Sequence, residues 1–420
     1  MPRSFFSADQ HDHVRDGSAE GFRLTSIWDL FDVKPLFRIP SGVLFAEKAK
    51  NGEGIRKWKG KVFSGDLKFF NSRLSDVEDK LKETDKDWFF TQMGSSSAFS
   101  VSQSTVRTDA SAYKEHFDQG ATIVPRAFYF VDLNQDLPDD FDDRILQIRT
   151  AVELVSGNES WKDVNLRGSI ESRFLFRTAL SKSIFPFALF RPNLVALPMT
   201  VEESDRGGKI IKLHTAEELS EKGFRHASKW FANAESLWEK KRTEKNKKYS
   251  LIEYLNWQQK VSNQNLNAPY LVLYNSSAKN ANATVLIREE LDLEFIADHK
   301  EYIFTTDRLE EAYYLTAILN ADAITNQLRD FQTRGLFGFR DIHKKILDVF
   351  FPRFNSTDER HLQIAEMSRD CHTKASQYIK DNPPTRGLTP RFLGQLRSEI
   401  KKHLVDELKA IDDIVLDIII

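Results

Sequence analysis

From Phe392 to Ile418 the apolar residues Phe392, Leu396, Ile400, Leu404, Leu408, Ile411, Val415 and Ile418 recur three or four positions apart. That spacing places them on one helical face, which is stable in water only against a partner, in the same chain or another. The segment 354–420 is therefore expected to be a helical module, with Phe392 to Ile418 as a candidate docking surface for a helical partner. Asn382-Pro383-Pro384 separates this stripe from the helix before it, because proline cannot continue a helix.

Upstream the pattern changes. Ile27 to Phe31 and Val43 to Ala46 are short apolar runs set off by Pro35 and Pro40, which is strand-and-turn punctuation. Asn51 to Lys61 is charged and glycine-containing, an exposed loop or hairpin tip. Ser95 to Thr108 is serine-rich and is expected to be the most mobile part of the first third. Ala121 to Val131 carries a strand pattern broken by Pro125, hence an edge or bulged strand. The acidic run Asp136 to Asp143 is expected to be a solvated loop. Ile145, Ile148, Val152 and Val155 suggest a short amphipathic helix. Ile184 to Leu197 suggests two strands. Lys229 onward suggests a helix with Trp230, Ala234, Leu237 and Trp238 on its inner face. Pro269 to Asn275 and Ala283 to Arg288 are expected to be strands. Asp307 with Glu310 marks a helix start, with Leu309, Tyr313, Thr316 and Asn320 on one stripe. The fold class expected is α+β.

Composition narrows the function classes. The chain has 420 residues, enough for two or three domains, and 60 basic against 62 acidic side chains. That balance excludes a polybasic tail protein while leaving room for a local basic groove. One cysteine, Cys371, excludes a disulfide framework and a multi-cysteine zinc site, and fits a reducing, cytoplasmic setting. No apolar run has the length of a membrane span, and Asp9 and Asp12 follow Met1 too closely for a secretory signal. The 32 phenylalanines suggest aromatic-rich, half-buried sheets or flat surfaces for a planar ligand.

The familiar catalytic patterns are poorly matched. Between Gly54 and Gly60-Lys61 five residues intervene instead of four, and Val62 stands where a phosphate loop needs Ser or Thr. Asp9, His11, Asp12 and His13 are metal-ligand types without a further ligand in register. Cys371 and His372 are adjacent, so on a helix they point apart, as a surface pair rather than nucleophile and base. Glu253 with Gln258-x-Lys260 carries the letters of a nuclease core, but on a segment with helical spacing. Basic patches say more. Lys229 to Lys248 holds seven Lys/Arg and three Glu, and Arg329 to Lys345 holds five Lys/Arg and two Asp, interleaved with Phe331, Phe337 and Phe339. Arginine forks fit guanine, glutamine fits adenine and lysine neutralises phosphate.

Several longer segments resemble a known family. Glu311-Ala312-Tyr313-Tyr314-Leu315-Thr316-Ala317-Ile318-Leu319-Asn320 and Phe331-Gln332-Thr333-Arg334-Gly335-Leu336-Phe337-Gly338-Phe339-Arg340-Asp341-Ile342-His343-Lys344-Lys345 are similar to the C-terminal region of large adenine-N6 DNA methyltransferases of the restriction–modification and phage-defence type. Gly120 to Arg126, Glu253 to Gln258, Tyr270 to Asn275 and the opening Met1 to His11 resemble the same proteins, so the likeness touches nearly the whole chain. In that family this part is the target-recognition region, akin to a type I specificity subunit. The family's glycine-rich S-adenosylmethionine loop and its Asn-Pro-Pro-aromatic motif would lie upstream of Met1. Asn382-Pro383-Pro384-Thr385 imitates the second motif, but threonine stands where an aromatic would stack on the flipped adenine.

The resemblance implies residues 1–86 as the end of a catalytic domain, 87–353 as the target-recognition region and 354–420 as the docking module. It implies double-stranded DNA as a partner, a methyltransferase polypeptide alongside, and S-adenosylmethionine in that partner or missing half, with no cofactor in this chain. Arg126, Gln332, Arg334, Arg340, His343, Lys344 and Lys345 are the candidate DNA contacts, with Lys240, Lys241, Arg242, Lys245, Lys247 and Lys248 as a second, phosphate-facing set. Two other classes stay open: an intact or split S-adenosylmethionine-dependent methyltransferase subunit, and a helical assembly protein that binds no DNA.

Overall fold

The computed structural model describes the chain except residues 50–55, 103–106, 134–143, 156–158, 206, 336–337, 340–341, 385–386 and 420. The architecture is α+β, with a β-rich N-terminal part and helices at the C-terminal end. Among the described residues no helix is long and apolar enough to cross a membrane. The acidic run Asp136 to Asp143 lies outside the described residues, as do residues 51–55 of the stretch Asn51 to Lys61, whose described end enters a strand.

The N-terminal sheet has β1 (Phe22–Lys34), β2 (Gly42–Lys48), β3 (Lys57–Asp66), β4 (Lys82–Met93) and β5 (Ser96–Ser100), in the order β2-β1-β3-β4-β5. β1 and β3 run parallel and the other pairs antiparallel. Phe6, Leu24, Ile27, Trp58, Trp88 and Phe99 form one apolar cluster, and Val33, Phe63, Leu67 and Val77 another. Gly60 lies inside β3, where an added Cβ would meet the Ile27 carbonyl at 1.9 Å. Close strand approach requires that glycine, and the Gly60-Lys61 pair is not a nucleotide loop. The expected boundary at residue 86 falls within β4, and the sheet continues to Ser100.

All five residues of β5 are buried, which corrects the expectation of a mobile run for Ser96 to Ser100, while residues 103–106 of that run lie outside the described residues. Three of its hydroxyls meet distant carboxylates: Ser96 Oγ donates to Asp348 at 2.6 Å, Ser97 Oγ to Asp12 at 2.6 Å and Ser100 Oγ to Asp330 at 2.6 Å.

A four-stranded and a three-stranded sheet follow, with smaller two-stranded ones beside them. β6 (Asp118–Gln119) is the edge strand of a four-stranded sheet whose other strands come later in the chain. β7 (Val131–Leu133), β8 (Ile145–Thr150) and β9 (Arg167–Glu171) form a three-stranded antiparallel sheet. The expected helix at Ile145 is therefore a strand. Leu146, Ile148 and Thr150 are buried in strict alternation, while Ile145 is exposed. Ala121 to Val131 is not a strand either until its last residue. Pro125, which can donate to no ladder, precedes a buried helical turn, Arg126–Tyr129.

Helix α1 (Arg225–Lys241) buries Trp230, Ala234 and Trp238 as its spacing requires, and α2 (Leu251–Leu255) follows. β10 (Tyr270–Asn275), β11 (Ala283–Ile287) and β12 (Glu301–Thr306) complete the sheet β11-β10-β12-β6. α3 (Leu309–Asn320) and α4 (Asp322–Leu328) pack against it. Asn320, wholly buried, accepts the Ala283 N–H at 3.0 Å and donates to the Ala283 carbonyl at 2.9 Å. One side chain thus fixes the end of α3 to the start of β11.

The C-terminal helices are α5 (Glu359–Asp381), α6 (Pro390–His403) and α7 (Val405–Ile419). Their stripe is not a free docking face. Leu396, Ile400, Leu404, Leu408, Ile411 and Val415 are buried in one core with Leu315, Ile318, Ile324 and Ile364 of this chain. Lys401 pairs with Asp322 at 2.9 Å, and Asp412 accepts the Ala323 N–H at 3.0 Å. The partner that the stripe demands is intramolecular. Cys371 is buried and His372 is turned inward, so neither forms the expected surface pair. His372 Nε2 accepts the Val285 N–H at 3.0 Å, satisfying an edge-strand donor, and Nδ1 sits 2.7 Å from the Ser368 carbonyl.

Two consequences are measurable. Asp348, 2% exposed, receives Ser95 N–H, Ser95 Oγ, Ser96 Oγ and Lys114 Nζ. Asp348→Ala should lower unfolding stability by about 3–5 kcal/mol in denaturant titration, since it strands a part-buried lysine and three donors. Burial pushes His372 down from 6.5 to about 4. The unfolded state therefore binds the extra proton first, and this group's contribution to stability declines as pH falls from about 6.5 to about 4. Thermal unfolding across that window should slope less steeply in His372→Gln than in the wild type.

Candidate nucleic-acid interface

The sequence leads one to expect a row of DNA contacts after α4, and the structure divides that row. Gln332 is fully buried. Its Nε2 donates to the Lys279 carbonyl at 3.2 Å and its Oε1 accepts from Arg329 at 3.0 Å. That amide is committed inside the fold and faces no solvent. Lys345 is likewise a tether. Its Nζ donates to the carbonyls of Ser7 at 2.8 Å and Phe331 at 3.3 Å, and pairs with Asp9 at 2.8 Å. Both expectations are corrected: Gln332 is spent on the fold's own backbone, and Lys345 fastens the segment to the N-terminal residues. His343 is exposed in a left-handed conformation, φ 42°, with its backbone bonded to Ser276 and to the Tyr274 hydroxyl. Lys344 is half-buried with Nζ 3.4 Å from the Lys114 carbonyl. Arg340 lies outside the described residues.

Arg334 is different. Its guanidinium carbon lies 5.3 Å from the Phe31 ring centroid and 4.6 Å from that of Phe339. Its Nε is buried without a hydrogen-bond partner, and no ion pair holds it among the described residues. The nearby carboxylates are engaged elsewhere, Asp29 by Arg3 at 2.9 Å and Asp330 by Ser100 at 2.6 Å. Burial, then the Arg3 charge, lowers the Arg334 guanidinium below the usual arginine value, though arginine stays charged at any working pH. A planar cation steadied by rings with donors to spare is suited to a phosphate or a guanine edge.

The second set lies at the end of α1. Lys240 and Lys245 are exposed, Lys247 pairs with Glu244 at 2.7 Å, and Lys248 lies over the Tyr249 ring at 4.9 Å. Lys241 bonds Asp163, and Arg242 donates to the Tyr249 carbonyl at 2.7 Å. Arg126, remote in sequence, joins Lys241, Arg242 and Lys300 in lining one cleft of ≈ 370 Å³. His299, Asn246, Trp161 and Tyr254 are among its other walls, and no Asp or Glu is among the described lining residues. Burial lowers the nearby Lys182, with Glu153 opposing and Arg126 adding repulsion.

A second, amide-rich concavity of ≈ 500 Å³ adjoins the first, lined among others by His116, Gln119, Gln258, Gln259, Lys260 and Lys344. Gln119 links the two, donating to the His299 carbonyl at 2.9 Å while accepting from Lys260 at 3.1 Å. Arg126, Lys241 and Arg242 therefore line one cleft and Lys344 the concavity beside it, whereas Arg334 sits beside β1. His299, Lys300 and the glutamines are additions that the sequence patterns do not mark as DNA contacts. The polar run Gln258-Gln259-Lys260 is the available signal, although its letters also match a nuclease core. Glu253 is spent in a capping box with Ser250 and does not converge on Lys260. The metal-ligand types near the N-terminus also disperse: Asp12 bonds Arg15 and Ser97, His11 stacks on Phe5 and His13 meets Ser18. Among the described residues no group of three metal-ligating side chains forms.

No family model matches the chain, and no curated protein does. Solved structures similar to it include two restriction enzymes. One is the type IIL restriction-modification enzyme MmeI in complex with DNA, at 8% identity and TM-score 0.49, covering 96% of this chain and 46% of that one. The other is the type IIG restriction endonuclease BpuSI, at 11% identity and TM-score 0.30, covering 100% of this chain and 47% of that one. The chain thus spans about half the length of either protein. At these scores neither likeness establishes a shared fold.

Proposed function

We propose that the chain is a sequence-specific recognition unit for double-stranded DNA, serving an adenine-N6 DNA methyltransferase of a restriction–modification or phage-defence system. The observation that carries this reading is the cleft in which Arg126, Arg242, Lys241 and Lys300, from segments far apart in sequence, face one space. Cations gathered where no described carboxylate lines the wall suit a phosphate backbone. The long segments that resemble the recognition region of such methyltransferases give the reading its class. Arg334, with its Nε unpartnered and no ion pair among the described residues, is the base-reading candidate within it.

Methyl transfer is assigned to a separate catalytic domain or polypeptide, which would bring the S-adenosylmethionine. This chain's part is to hold the duplex in register so that the target adenine meets that chemistry. The reading of a helical assembly protein loses its motive, because the C-terminal stripe is buried against the chain's own helices.

Arg126→Glu with Arg242→Glu should flatten the dependence of log K on log salt by about two units, one for each phosphate no longer neutralised. An unchanged slope would remove the cleft from the interface. Arg334→Ala should change which sequence is preferred, by about 1–3 kcal/mol at one position if the arginine grips its base through two hydrogen bonds. Uniform weakening over all sequences would make Arg334 a phosphate contact instead. Lys345→Ala should lower the melting temperature while leaving the salt slope of the folded protein as it is.

A further inference from the structure

The loop from Asn256 to Asn263 is held closed by one side chain. Asn256 Oδ1 accepts the N–H groups of Val261 and Ser262, both at 3.1 Å. Within this closure Gln258 and Gln259 have φ of 55° and 58°, consecutive left-handed residues with full side chains. L-residues adopt that conformation only where the surroundings impose it, and such residues concentrate at functional sites. Both side chains are exposed and make no hydrogen bond among the described residues. Their neighbours differ. Gln119 spends its amide on His299 and Lys260, and Gln264 spends its own on Ala297. The fold thus uses some amides of this concavity as struts and leaves Gln258 and Gln259 unused at its rim.

Cations bracket the pair. On one side Trp257 packs on Tyr249 at 5.0 Å, and the Tyr249 ring carries Lys248. On the other, Lys260, Lys344 and His116 line the same concavity, against the single described carboxylate of its lining, Asp118. An anionic polymer matches this charge pattern, with phosphates at the flanks and base edges between them. A carboxamide offers one acceptor and two donors, the complement of adenine N6 and N7 in the major groove.

We propose that Gln258 and Gln259 form a base-reading loop for duplex DNA, with adenine-containing steps as its target. This rests on the DNA-recognition reading above and adds the residues that would set part of its specificity. Glycine adopts positive φ without strain, so Gln258→Gly with Gln259→Gly removes both amides while sparing the backbone. A melting temperature equal to or above that of the wild type would verify the fold.

The test selects duplexes from a randomised pool with full-length wild-type chain and with the double-glycine variant, then sequences what each retains. The wild type should enrich a motif. The variant should lose roughly tenfold or more of the preference at one or two adenine positions. The same motif at the same strength in both proteins would overturn the loop's role and leave the DNA reading intact. Equal weakening on every sequence would also overturn it, making the loop a backbone contact. A wild type that retains no DNA would overturn the underlying reading and this inference with it.

Discussion

The buried Asp348 carboxylate is the constraint on which the rest of the arrangement depends. It gathers hydroxyl, amide and ammonium donors from the β4–β5 turn and from Lys114, and it stands at the end of the segment that follows α4. A carboxylate at 2% exposure is stable only when its oxygens are filled, so the N-terminal sheet must dock where those donors are. Gly94 confirms how tight the fit is: its φ is +54°, and an added Cβ would meet Asp348 Oδ1 at 2.4 Å. Ser100 to Asp330, Ser7 to Gln332 and Lys345 to Asp9 extend the same seam. Its product is the Arg334 site, which needs Phe31 from the sheet and Phe339 from the segment beside one guanidinium.

A second principle divides the polar side chains into those consumed by the fold and those left over. Asn320, Asn256, Gln119, Gln264 and Gln332 satisfy backbone groups that would otherwise be buried unpaired, and they act as structural members. The exposed amides of Gln258 and Gln259 have no such occupation among the described residues. In a water-exposed groove the unused donors and acceptors are the ones free to exchange water for a ligand, so they carry the functional argument.

The sequence is most legible where a periodic apolar pattern meets a matching length. α1 follows from Trp230, Ala234 and Trp238, and the C-terminal helices follow from the stripe that begins near Phe392. The stripe's partner is not legible, because apolar spacing says that a face is covered but not by what. Ile145 and Ile148 sit three apart by coincidence, and the β8 alternation of Leu146, Ile148 and Thr150 is the true signal. Ser96 to Ser100 looks like a loop because serine is polar, yet the partners that bury those hydroxyls lie up to 252 residues away. The same long-range pairing hides Gln332 and Lys345. Of the candidate contacts, Arg126, Lys241 and Arg242 reach one cleft and Lys344 the concavity beside it, whose glutamines the sequence does not mark as DNA contacts.

Retention of duplexes from a randomised pool by the full wild-type chain, at two salt concentrations, tests the central claim most directly. A sequence-specific recognition unit should enrich one short motif at both concentrations, on a background of binding that weakens steeply as salt rises. Retention of no DNA at the lower concentration would contradict that claim.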